Sequence, residues 1–524
     1  MSKKLSIALV RGPIVSKKGA VNNEATPAIG YAYISGYLRK FGYEPVLIDA
    51  IGEGLNKVWP LRKHPGFAAQ GLNFGEIIAR IPKDSQVIGF SAMFSGEWPV
   101  VRDLIIEVRK HFPNALLVGG GEHLTALTKF SLQDCPALDV CVRGEGEHTF
   151  LELVKVYEKT GKFNKINGIA YLDEEKVFCQ GEGPPPRIIK IDEIGWPYWP
   201  EGYLEKFWKT GRSFGVGTAR DMPFLASRGC PYQCTFCSSP DMWTTRYVLR
   251  DVDDAINEIK HYVDRFGITS LQLYDLTAII KKSWIIDFCK KLIQEGVRVN
   301  WSLPSGTRSE ALDHETLSLL KQTGCNYLVY APESASPQTL KKIKKKIRLD
   351  HLTESALEAK RQNLTLRINL IIGFPEETWA DIFATLFYGL KMSIRGIDEA
   401  PFYIFAPYPG TEIFKGLDNE KKIALDNDYF LALTSLNSAY FSTRIICFNP
   451  NIDKRLLGIL RTLFIMITYS VSYLFFPKRI FRTLKNIFSA HETATVFEHR
   501  LKDLIQKKMC AVKNLIQRRT SAVK

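Results

Sequence analysis

Short apolar runs alternate with helix-forming stretches twice along this chain. That alternation limits the fold more than any other feature. In residues 1–165 the runs are Leu5–Val10, Pro45–Ile48, Gln86–Phe90, Ala115–Val118 and Leu138–Val142. Helical patterns fall between them at Ile29–Phe41 and Val100–His111, and Thr149–Tyr157 follows the last run. Short, evenly apolar strands separated by helices predict a parallel sheet covered on both faces. This part of the chain therefore reads as a doubly wound, Rossmann-like α/β domain, which binds ligands beyond the carboxyl ends of its strands.

Residues 166–222 break the rhythm. Pro184-Pro185-Pro186 and the Pro197–Pro200 cluster mark a linker. Alternation resumes in residues 223–415, with strands expected at Phe224–Ala226, Leu271–Tyr274, Asn300–Leu303, Tyr327–Tyr330, Thr365–Ile372 and Phe402–Phe405. Helices Asp253–Phe266, Trp284–Gln294 and His314–Thr323 lie between them. Six βα units predict a partial (β/α)6 barrel of the TIM type, with its chemistry at the carboxyl ends of the strands. Residues 416–524 read as a helical, apolar and basic C-terminal region. The chain's 524 residues are 45% hydrophobic and 24% charged, with mean hydropathy −0.09. These values exclude a mostly disordered, collagen-like or polytopic membrane chain.

The net charge of +15 is uneven: Pro477–Lys524 alone carries +9. Just upstream, Thr462–Phe476 is uncharged over 15 residues, short of the roughly 20 that a spanning helix needs. Three readings stay open. The run is a buried helix with a solvated basic tail, an interfacial anchor whose basic residues meet anionic lipid, or a true span that takes in Arg461. Nucleic acid is disfavoured, because the basic stretch adjoins an apolar run rather than interleaved aromatics.

Ten cysteines in this length are too few for a disulfide framework. The N-terminus runs into a strand with no secretory signal before it. The expected setting is the reducing cytoplasm, possible contact with a membrane included, where clustered cysteines mean metal or catalysis. One cluster stands out: Cys230, Cys234 and Cys237, spaced C-x3-C-x2-C after the first barrel strand. Three thiolates can hold three corners of a [4Fe–4S] cube and leave one iron open. Zinc is the rival, but it wants four ligands, and no second close pair or nearby His is present. Cys135, Cys141, Cys179, Cys289, Cys325, Cys447 and Cys510 show no ligand spacing and read as structural.

At these residues the sequence resembles the radical S-adenosylmethionine (SAM) superfamily, over roughly 220–415. Phe236 matches the aromatic beside the adenine. Asp275 matches a polar contact to the SAM amino group. Glu333 and Ser334, in Tyr330-Ala331-Pro332-Glu333-Ser334, resemble a G-x-E-S segment. Ile371 and Gly373, in Asn369–Glu376, resemble G-x-I-x-G-x-x-E. Tyr408–Thr411 resembles a P-G-T turn, and Arg308 is a candidate for a SAM or substrate carboxylate. The resemblance implies that SAM chelates the open iron. An electron from a donor such as flavodoxin or ferredoxin then cleaves SAM, and the 5′-deoxyadenosyl radical takes a hydrogen atom from an unactivated carbon.

Before such a barrel, three glycine-rich strand ends resemble the cobalamin-binding domain of the class that includes the anaerobic protoporphyrin cyclase and the hopanoid methylases. They are Gly89-Phe90-Ser91, Gly119-Gly120-Gly121-Glu122-His123 and Gly144-Glu145-Gly146-Glu147. Ser91, Gly119, Gly120, Gly121, Gly144 and Glu145 are the expected cobalamin contacts. One departure matters: Arg11–Pro27 contains no His, so D-x-H-x-x-G is absent there. Asp49–Gly54 copies its spacing by coincidence, with Ile51 for His. The resemblance implies methyl transfer to a hydrophobic or lipid-like small molecule, with cyclisation, oxidation or carbon–carbon bond formation as the alternative. A non-enzymatic metal-binding module is the reading from another class.

Overall fold

The computed structural model describes residues 4–18, 20, 25–163, 166–181, 185–211, 216, 219–438, 446–489, 493–502, 504 and 505. In the N-terminal sheet, β1 (Ile7–Arg11), β2 (Val46–Asp49), β3 (Val87–Ser91), β4 (Leu116–Gly120) and β5 (Val140–Val142) run parallel in the order 2-1-3-4-5. The order reverses between β1 and β3, so a ligand crevice belongs at their carboxyl ends. Ile7, Ala8, Val10, Val87, Ile88, Leu117 and Val140 are buried on both faces, at about 1.5–3 kcal/mol per large aliphatic side chain.

The sheet is longer than the sequence reading allows. β6 (Ile169–Leu172) and β7 (Phe178–Gln180) add two antiparallel strands next to β5. They occupy a stretch expected to be linker. Both are short, and the proline-rich segment after them masks their pattern. Helix Tyr203–Lys209 lies in the same stretch; its Tyr203 hydroxyl donates to Asp49 at 2.7 Å. A small antiparallel sheet of Ile14–Lys17, Phe67–Gln70 and Val58–Pro60 flanks the domain.

β8 (Asp221–Phe224), β9 (Ser270–Leu273), β10 (Asn300–Thr307), β11 (Cys325–Glu333), β12 (Thr365–Ile372) and β13 (Phe402–Ile404) pair in parallel and in chain order, which makes a six-stranded partial barrel. Its helices follow ordinary rules. Helix Val252–Phe266 starts at Asp251, whose carboxylate accepts from the Asp253 and Asp254 amides, and stops at Gly267 in the left-handed region. Its inner face buries Ala255, Ile256, Ile259 and Tyr262 against the barrel.

The C-terminal region touches both domains. Helix Asn427–Ser438 sends Phe430 against His123 and Phe130 of the N-terminal domain, while the Tyr429 hydroxyl donates to the Pro407 carbonyl at the barrel's end. Helix Lys454–Phe475 is the one described helix long and apolar enough to cross a membrane. Its inner face is packed on the barrel: Phe464 meets Phe387 and Phe402, and Tyr469 donates to Glu399 at 3.1 Å. The basic residues from 506 onward, and Cys510, lie outside the described residues.

Candidate active site

The cysteine loop leaves the carboxyl end of β8 and is stitched at its base. Ser227 and Arg228 pair antiparallel with Leu249 and Val248. Gly229 follows with φ +81°, and a Cβ there would lie 2.1 Å from the Arg246 carbonyl oxygen. Only glycine allows that close approach. Asp275, just beyond β9, holds the loop's entry: its carboxylate accepts from the Ala226 amide at 3.1 Å and from the Ser227 hydroxyl. Burial pushes its carboxyl up to about 6. The residue expected to contact the SAM amino group is thus already engaged in shaping the loop.

Cys234 is buried, and Cys230 and Cys237 are half-buried; none is in a disulfide. Burial, helped by the neighbouring thiols, disfavours ionisation of Cys234 and Cys237 and pushes the Cys237 thiol up to about 12. Metal binding must therefore release these protons. Among the described residues, no three His, Cys, Asp or Glu side chains converge tightly enough for a single ion. The Ser239 amide lies 3.5 Å from Cys237 Sγ, a hydrogen bond of the kind that tunes clusters.

Charged groups crowd Cys234. Glu333 pairs with Lys345 at 3.0 Å, and its backbone takes the uncommon φ of +68°. Arg308 stacks 3.6 Å from the centroid of the Tyr232 ring inside the cysteine loop and pairs with Glu310 at 2.7 Å. Both Lys345 and Arg308 act on the Cys234 thiol. Phe236 and Ile371 share one apolar cluster with Phe374 and Phe405. The buried hydroxyls of Thr235, Ser239, Thr277 and Thr307 lack hydrogen-bond partners among the described residues. Orphaned hydroxyls on the loop and at the strand ends fit a polar ligand such as SAM.

Two of the expected residues have close neighbours within the protein. Ser334 is fully buried and bonds Thr385 and the Ser336 amide, so it shapes its own turn. Gly373 meets Leu457 of the C-terminal helix, 2.8 Å from where its Cβ would be. Sequence reasoning also missed Glu377. Its carboxylate accepts the amides of Gly373 and Phe374, whereas Glu376, the motif's apparent acid, is exposed and pairs with Lys342.

At the carboxyl edge of the N-terminal sheet, most glycines serve the protein itself. A Cβ at Gly119 would strike Leu124 at 2.6 Å, one at Gly121 the Ala92 carbonyl at 2.8 Å, and one at Gly144 Pro185 at 2.9 Å. Gly120 alone of these has ordinary space, 3.7 Å from its nearest neighbour. Glu145 is no free contact either: it accepts from Arg187, from the Ile188 amide and from Arg228 at 3.0 Å. What does fit a large ligand is the end of β3. Ser91 is half-buried, and the Met93 and Phe94 side chains that follow are exposed. His123 is buried and capped on both nitrogens, by Ser95 at 3.0 Å and Ser131 at 3.2 Å, so it offers no axial ligand to a corrin.

The two halves of the site are in contact. Glu122, the first residue of the short helix Glu122–Ala126 after β4, accepts from the Ser238 hydroxyl next to Cys237. A Cβ at Gly410, in the turn after β13, would lie 3.1 Å from Ala126. The cysteine loop thus faces the carboxyl edge of the N-terminal sheet.

Comparison with known proteins bears on both halves. The Radical SAM superfamily model matches residues 224–388, and the B12 binding domain model matches residues 19–154. An uncharacterized methyltransferase of Pyrococcus horikoshii is 30% identical over 79% of this chain and 83% of its own length. An anaerobic magnesium-protoporphyrin IX monomethyl ester cyclase of Cereibacter sphaeroides is 28% identical over 59% of this chain and 50% of its own. The solved structure of the radical SAM methyltransferase TsrM from Kitasatospora setae superposes with a TM-score of 0.65, covering 97% of this chain and 100% of that one at 13% identity. That last match speaks for the fold alone. The chain belongs to the radical SAM superfamily, in the cobalamin-dependent branch that joins a B12-binding domain to the barrel and works with a [4Fe–4S] cluster, SAM and cobalamin.

Proposed function

We propose that this enzyme methylates an unactivated carbon of a hydrophobic, lipid-like small molecule. The observation that carries the reading is the contact between the cysteine loop and the carboxyl edge of the N-terminal sheet, through Glu122 and Ser238. A methyl carrier on that edge and a radical source on the loop would meet at one interface. When bound, the cluster and SAM supply a 5′-deoxyadenosyl radical, and cobalamin supplies the methyl group.

The chain's own residues have the following roles in this reading. Cys230, Cys234 and Cys237 hold the cluster. Phe236 and Ile371, backed by Phe374 and Phe405, form an apolar wall suited to an adenine. Arg308 and the Glu333–Lys345 pair suit the charged amino-acid end of SAM. Asp275 fixes the entry to the loop. Ser91 and Gly120, with Met93 and Phe94, suit one face of a corrin. The electron comes from a flavodoxin- or ferredoxin-like donor in a reducing compartment. The exposed apolar surface of the C-terminal helices supports a hydrophobic substrate.

Product stoichiometry tests this reading. Reconstituted enzyme, reductant, SAM and fractionated lipid extract should yield S-adenosylhomocysteine and 5′-deoxyadenosine in step with a methylated product. 5′-Deoxyadenosine without S-adenosylhomocysteine would replace methyl transfer with cyclisation or oxidation, the reading that the cyclase relative favours.

A further inference from the structure

Helix Lys478–Phe488 is amphipathic, and it sits the wrong way round for a soluble protein. Its polar face points inward and is fully occupied. Arg479 lies 3.2 Å from Asp398, Arg482 bonds Asp398 at 3.1 Å and Glu498 at 3.0 Å, and Thr483 and Asn486 both donate to Glu498 at 2.8 Å. Its apolar face points out. Ile480, Phe481, Leu484 and Phe488 are exposed, Phe481 to 73% and Phe488 to 85%. The polar face cannot be turned to water without stranding Asp398 and Glu498, both buried carboxylates.

The preceding helix continues the pattern. Leu456, Ile459, Leu463, Met466 and Leu474 form an outward stripe along Lys454–Phe475, on the side away from the barrel. Charge names the occupant. From Lys454 to Phe488 there is no Asp or Glu and there are seven Lys or Arg. Arg461 and Arg479 are buried, whereas Lys454, Arg455, Lys478 and Lys485 are exposed. Residues 506–524 add six more Lys or Arg and no acid. An apolar face rimmed by exposed cations matches the interface of an anionic bilayer, where rings enter the acyl boundary and ammonium groups meet phosphate. A second copy of the chain would bring the same cations against themselves.

We infer that the outward faces of Lys454–Phe475 and Lys478–Phe488 dock this enzyme on the surface of an anionic lipid bilayer, with the barrel in water. The inner face of Lys454–Phe475 stays on the barrel through Tyr469 and Ser472, so the helix lies on the membrane and does not cross it.

The test is sedimentation of the full-length protein with vesicles of phosphatidylcholine alone, or with about a third phosphatidylglycerol. The parent protein should pellet with the anionic vesicles and less so as salt rises. Phe481→Glu with Phe488→Glu should lower the partition coefficient about tenfold or more; both rings are so exposed that no core is lost. Lys478→Glu with Lys485→Glu should weaken the preference for anionic vesicles, since Lys454, Arg455 and the basic residues of 506–524 remain. If the parent pellets with neither vesicle, or the Phe double variant partitions like the parent, the proposal is overturned. So it is if the parent is a lipid-free dimer that the Phe variant splits, since a second copy would then own the face. Sedimentation needs neither cluster nor substrate, so its failure and that of the methylation assay can be told apart.

Discussion

Arg228 donates to Glu147 at 2.7 Å and to Glu145 at 3.0 Å, 81 and 83 residues earlier in the chain. All three side chains are buried. The pairs tie the cysteine loop's base to the helix that follows β5, and so set the two cofactor domains in register. Arg228→Met would leave Glu147 buried with no cation and Glu145 with Arg187 alone. Removing one partner of a buried pair costs about 3–5 kcal/mol. The denaturation midpoint should fall, and less iron should survive desalting. An unchanged midpoint with full iron retention would remove Arg228 from this role.

His123 gives a pH prediction. Burial pushes its imidazole from the ordinary 6.5 down to about 3. The folded state therefore binds fewer protons than the unfolded one. Its contribution is complete above pH 6.5 and is lost as the pH falls toward 3. Relative to His123→Gln, the parent should lose about 1.4 kcal/mol per pH unit below 6.5. Denaturant titrations at several pH values measure this. The same variant should leave the spectrum of the bound corrin unchanged; a shifted band would make His123 an axial ligand after all.

Gly373 tests the seat of the C-terminal helix. Gly373→Ala places a Cβ at φ +86° and 2.8 Å from Leu457 Cδ2. The backbone strain alone costs about 1–2 kcal/mol. Leu457→Ala removes the clash but not the strain. The double variant should therefore lose less stability than the two single losses added together. Strict additivity would mean that Leu457 does not press on Gly373.

Local pattern carried much of this molecule, and distance hid the rest. The parallel strands were legible because each is an apolar run between helices, and C-x3-C-x2-C because its ligands are close in sequence. Glu145 looked like a ligand because it stands in a glycine-rich loop; its partners Arg187 and Arg228 lie 42 and 83 residues away. Gly119 looked like a cradle, but Leu124 and Leu138 fill the space beside it. Glu377 differs from Glu376 only in which way a turn points them. β6 and β7 are short and have value only as edge partners of β5, a tertiary fact. The reversed polarity of helix Lys478–Phe488 is invisible in sequence, since amphipathicity says that two faces differ and not which one the protein keeps.

The central claim is that one chain holds a radical-generating cluster and a methyl carrier face to face. Anaerobic reconstitution with iron, sulfide and hydroxocobalamin, followed by desalting, metal analysis and a visible spectrum, tests it most directly. The account predicts about four irons and a retained corrin band in the parent, with Cys234→Ser losing the iron and keeping the corrin. Zinc in place of iron would contradict the radical chemistry. Iron with no retained corrin would contradict the methyl carrier.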